Sequence, residues 1–141
     1  MSRQNLENLA NSGRLKRQAP SRREFEGLLA SGETRLRDAE HPALRIESRF
    51  DLAYNAAHSL ALAALRWHGF RSTSRYLVFQ CLQHTVGLGP TEWRVLDQAH
   101  RKRNLAEYEG HLEVDEALVA STIRVAETVL QRVKALEPID E

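Results

Sequence analysis

The richest concentration of reactive side chains lies in residues 100–111, HRKRNLAEYEGH. A stripe of Trp93, Leu96, His100, Arg103 and Glu107 runs into it in steps of three and four, the spacing of one helix face. The stripe starts apolar and turns polar halfway. A guanidinium on a face that elsewhere meets the core is costly unless it is paired or opens into a cleft. Arg103 can hold a phosphate with two parallel hydrogen bonds. Asn104 adds an amide, Tyr108 a phenol, and His100 and His111 imidazoles that move protons near neutral pH. The same spacing also fits a plain Arg103–Glu107 ion pair on a half-exposed helix end.

A second polar line interrupts an otherwise apolar segment upstream. Asp51, Asn55 and His58 fall on one side of a helix. They are either its solvent-facing strip or the opposite wall of a polar pocket. The other histidines are scattered, and none has the HExxH or paired Cys/His spacing of a zinc site, so neither metal nor cofactor is expected. Gly87 and Gly89 follow no strand and precede no lysine–serine pair, which excludes a phosphate loop.

The elements that must position these groups are helical. Apolar residues recur with helical spacing, and no strand is expected. Ser21 and Glu24 have capping-box spacing at the start of a helix over 21–40, with Phe25, Leu28, Leu29, Leu36 and Ala39 on its apolar face. Gly27 and Gly32 weaken that helix or permit a close neighbour. The segment 47–68 has two apolar stripes, one through Phe50, Tyr54, Leu60 and Ala64, the other through Leu52, Ala56, Ala63 and Trp67. That places it centrally. Further helices are expected over 74–86, 91–109 and 115–136, punctuated by Gly87, Gly110 and Pro138. Short connections favour antiparallel neighbours, so the fold class is all-α, an antiparallel up-and-down bundle of four or five helices over 21–136. Residues 1–20, with Arg14, Lys16 and Arg17, read as a basic arm carrying one or two helical turns.

The whole chain, 141 residues with net charge +1, announces no polyanionic partner by charge alone. Its one cysteine, Cys81, cannot form an internal disulfide, and no apolar run is long enough to span a bilayer. With no signal-peptide pattern at the N-terminus, the expected location is the cytoplasm.

Two regions resemble the HEPN superfamily, small helical bundles of prokaryotic toxin–antitoxin and defence systems. Residues 50–69, FDLAYNAAHSLALAALRWHG, look like that family's alanine-rich second helix ending in glycine. Arg103 with Asn104 resembles the start of its Arg-x(4–6)-His motif. The resemblance implies a homodimer whose paired motifs form one RNA-directed cleft, either a metal-independent ribonuclease or a non-catalytic relative. It assigns catalytic roles to Arg103, Asn104, Tyr108 and His111, while the spacing offers His100, Asp51, Asn55 and His58 as ligand contacts. The alternative is a binding module that pairs with a nucleotidyltransferase or another protein. The sequence departs from the motif where a histidine is expected: Tyr108 stands there, and His111 lies further on.

Overall fold

The computed structural model describes residues 2–140. Four long helices form the body: α2 (Arg22–Ala39), α3 (Ile46–Trp67), α6 (Pro90–Glu109) and α7 (Glu116–Lys134). Shorter segments are α1 (Ser2–Asn11), α4 (Arg75–Gln80) and α5 (Leu82–Thr85). The chain is an all-α helical bundle.

Cross-helix contacts fix the directions. Along α2 and α3, Ala39 meets Arg49, Gly32 meets Leu60, and Glu24 meets Arg66, so the two run antiparallel. Between α3 and α6, Asp51 meets Arg103 while Tyr54 meets His100, again antiparallel. Between α3 and α7, Arg49 meets Glu116 and Trp67 meets the carbonyl of Glu137, so these run parallel. The bundle is therefore up-down-up-down in the order α2, α3, α6, α7.

α3 is central because both of its stripes are needed. Phe50, Tyr54, Ala57, Leu60 and Ala64 are buried, and so are Ala56 and Ala63 on the second stripe. Each fully buried Phe or Leu contributes roughly 1.5–3 kcal/mol relative to exposure. Gly32 lies at a close helix crossing: a Cβ there would lie 2.6 Å from the Leu60 Cγ. Capping follows the sequence signals. The Ser21 hydroxyl accepts from the Glu24 amide, and the Asp115 carboxylate from the Leu118 amide. Gly110, at φ 78°, ends α6 in the left-handed conformation that favours glycine.

Three expectations need correction. The N-terminal segment is not a solvated arm. Leu6 and Leu15 are buried, and Arg17 and Arg3 pair with Glu7. Nor is strand absent: Lys16–Arg17 (β1) pairs antiparallel with Phe70–Arg71 (β2), two residues each. The reason is Arg66, 1% exposed, whose guanidinium donates to the carbonyls of Gln18, Ala19 and Phe70 and to the Glu24 carboxylate. It stitches the N-terminal segment to the end of α3. Lastly, the single helix expected over 74–86 is two short ones that meet at Cys81.

Candidate functional site

The polar groups of α3, α4 and α6 converge around Tyr54. Its position in the α3 stripe makes it 1% exposed, so its hydroxyl needs a partner inside the fold. That partner is His100 of α6: the hydroxyl and the Nδ1 share a hydrogen bond of 2.9 Å. The other ring nitrogen of His100, Nε2, lies 3.1 Å from the Asn104 amide nitrogen, one turn on along the same helix. The imidazole is thus held at both ends. Tyr54, Tyr76 and Phe79 surround it at ring-centroid distances of 5.4–6.2 Å.

Two guanidinium groups flank the tyrosine. Arg103 lies 5.2 Å and Arg75 5.7 Å from the Tyr54 ring centroid, inside cation–π range. Arg75 also donates to the Asn55 side-chain oxygen at 3.2 Å. Arg103 faces two carboxylates without closing on either: its Nε is 3.8 Å from Asp51, and its Nη1 is 3.6 Å from Glu107. Both distances exceed normal hydrogen-bond length, and both carboxylates are more than half exposed. The Arg103–Glu107 pair weighed from spacing is therefore present only in a loose form.

The electrostatics keep the imidazoles neutral. Burial lowers the pKa of His100, Arg75, Arg103 and Arg101 lower it further, and Asp97 opposes them. His58 is pushed down to about 4, first by burial against Phe79 and then by Arg75 and His100. Burial raises the Tyr54 phenol, so it stays protonated at neutral pH. The cluster is cationic through its arginines, with a neutral base and a neutral phenol between them.

The sequence candidates divide cleanly. Asp51, Asn55, His58, His100, Arg103 and Asn104 are brought together, and the α3 line faces α4 and α6 rather than forming a plain solvent strip. Tyr108 and His111 stand apart from that cluster. Tyr108 is 92% exposed, and His111 lies beyond Gly110, 3.4 Å from Glu113. Tyr54, Arg75, Tyr76 and Phe79 were not singled out as site residues from sequence. Tyr54 carried the one usable signal, a hydroxyl inside an alanine-rich apolar stripe. Among the described residues no cluster has metal-ligand geometry, and no helix is long and apolar enough to cross a membrane.

No family model matches the sequence, and no curated protein matches it either.

Proposed function

We propose that the cluster around Tyr54, His100 and Arg103 is an RNA-directed site of the HEPN kind, and that His100 takes the proton-moving role that the motif assigns to a downstream histidine. One observation carries this reading: a neutral imidazole, oriented at both nitrogens, sits one turn before Arg103 on the same helix face. In the reaction, the ribose 2′-hydroxyl attacks the adjacent phosphorus and gives its proton to His100. The bond to the 5′-oxygen breaks, that oxygen takes a proton from water as it leaves, and the phosphate stays on the ribose as a 2′,3′-cyclic ester. Arg103 holds the phosphate and offsets the charge that builds on its free oxygens. The chemistry is metal-independent, as in the family resembled.

A homodimer would face two such clusters across one cleft. The second reading is a non-catalytic relative in a toxin–antitoxin setting, binding RNA, a nucleotide or a nucleotidyltransferase partner through this face. Tyr108 favours it, because an exposed phenol stands at the motif's histidine position in place of an imidazole.

The deciding experiment is cleavage of single-stranded RNA in EDTA. The wild type should cut. Arg103→Ala and His100→Gln should each lose at least a hundredfold in rate while keeping the helical circular-dichroism spectrum, and His111→Gln should change nothing. RNA bound but uncut by the wild type would establish the non-catalytic reading. Neither binding nor cleavage would remove the ribonuclease reading and the RNA-binding form of the second.

A further inference from the structure

Beside the Tyr54 cluster, and sharing Asn55, His58 and Arg75 with it, a cavity opens between α2, α3 and α4. Its volume is about 490 Å³, within the roughly 300–1,000 Å³ of small-molecule pockets. The polar lining is Ser31, Arg35, Asn55, His58, Ser59 and Arg75. Leu28 and Leu62 supply apolar wall.

The charge balance of this lining is one-sided. It contains two arginines and no acid. Among the described residues, neither Arg35 nor Arg75 forms an ion pair. Arg35 donates to the Ser31 hydroxyl on its own helix, and Arg75 to the Asn55 amide oxygen. Arg66, by contrast, is answered by one carboxylate and three carbonyls. A guanidinium carries five N–H donors in a rigid fork, so each of these two keeps most of its donors for another acceptor. Two like charges on one concave wall repel each other when the cavity is empty, and an anion between them reverses the sign.

The remaining lining narrows the chemistry. Ser59 is committed, donating to the Leu28 carbonyl at 2.8 Å. His58, held neutral at physiological pH, contributes a ring N–H without charge. The leucines can cover a sugar or a base edge. An anion met by planar forks on an otherwise uncharged wall is a phosphoryl group rather than a lone halide.

We propose that this cavity, which adjoins the Tyr54 cluster and shares Arg75 with it, is a phosphoryl-binding site in which Arg35 and Arg75 bind the phosphoryl group of a nucleotide, free or within an RNA strand. It does not depend on whether the Arg103 cluster cleaves RNA.

The test is calorimetric titration of the full-length protein with inorganic phosphate, with nucleoside 5′-monophosphates, and with a short single-stranded RNA, at matched ionic strength. The Arg103→Ala background isolates this cavity from the Arg103 cluster. Arg35→Ala should weaken binding about tenfold, about 1.4 kcal/mol. Arg35→Lys should recover part of it, since charge returns without the fork. Arg35 is exposed and, among the described residues, donates to Ser31 on its own helix, so these variants should keep the wild-type melting temperature in the absence of ligand. Arg35-dependent binding of monophosphates without RNA binding would identify a free nucleotide as the ligand. Arg35-dependent RNA binding tighter than that of monophosphates would identify a strand. Phosphate binding no stronger than chloride binding, or affinity unchanged by Arg35→Ala, would overturn the proposal.

Discussion

Removing the Arg66 guanidinium should unfasten the N-terminal segment and cost a large share of the protein's stability. Arg66→Met keeps the length and most of the volume of the side chain but deletes its donors. Four acceptors then lose their partner: the carbonyls of Gln18 at 2.9 Å, Ala19 at 2.7 Å and Phe70 at 3.3 Å, and the Glu24 carboxylate. Glu24 keeps Arg71, which limits its loss. Breaking a buried pair from one side costs about 3–5 kcal/mol, chiefly through groups left buried without partners. A domain of this size has about 5–15 kcal/mol in total. With a urea slope of about 2 kcal/mol/M, the unfolding midpoint should fall by about 2 M. Amide exchange should also quicken selectively over residues 3–20, because those carbonyls hold that segment to α3. Arg66→Met with Glu24→Met should cost less than the sum of the single changes, since the stranded carboxylate is gone while the carbonyls remain unpaired. A midpoint shift below about 0.5 M, or exchange quickened evenly over the chain, would refute the clamp.

The other expectations are narrower. Gly27 and Gly32 lie in the same helix, yet alanine should act with opposite sign at each. Gly27 faces open space and should gain up to about 1 kcal/mol, while a Cβ at Gly32 meets buried Leu60 at 2.6 Å and should lose about 1–3 kcal/mol. Thermal melts of the two variants decide it. Arg103→Ala should change unfolding free energy by less than about 1 kcal/mol, because both its carboxylate partners are loose and exposed, and a larger loss in urea titration would make the residue structural. His58 is pushed down to about 4, against about 6.5 unfolded, so the unfolded chain binds more protons between those values. Its contribution is fully present above about pH 6.5 and is lost as pH falls towards 4. With solvent screening of a partly exposed ring, this is about 2 kcal/mol. His58→Leu should reduce that acid slope in urea titrations run from pH 7 to 4, and an unchanged slope would count against it.

The helices were legible because their signals are local. Ser21, Gly69, Gly110 and Asp115 mark ends, and the α3 stripes mark a central position before any packing is known. The N-terminal segment was not legible, because Arg14, Lys16 and Arg17 look like solvated charge. What fixes the segment is Arg66, some fifty residues away, donating to carbonyls that no pattern displays. The site was half legible. Its α6 half follows from helical geometry: His100 and Asn104, one turn apart, share a face with Arg103. Tyr108 is five positions past Arg103, which is about 140° round the helix at 3.6 residues per turn, so it is carried away from that face. His111 lies past the left-handed Gly110, off the helix altogether. Arg75 was invisible because its role depends on how the short α4 docks on α3.

The arginines themselves separate support from function. Arg66 is fully buried, and four of its five N–H donors are taken up by protein acceptors. It lies out of reach of a ligand, and its removal is a question of stability. Arg75 and Arg103 sit half-buried against a neutral tyrosine and a neutral histidine, where their charges repel and their carboxylates are absent or out of hydrogen-bond range. A core optimised only for stability would place apolar side chains at these positions on α4 and α6. Their unspent donors converge with an oriented imidazole, and they gain most when an anion arrives. The mutational signatures therefore differ in kind: loss at Arg66 should appear in every melt, whereas loss at Arg103 should appear only when a phosphate-bearing ligand is present.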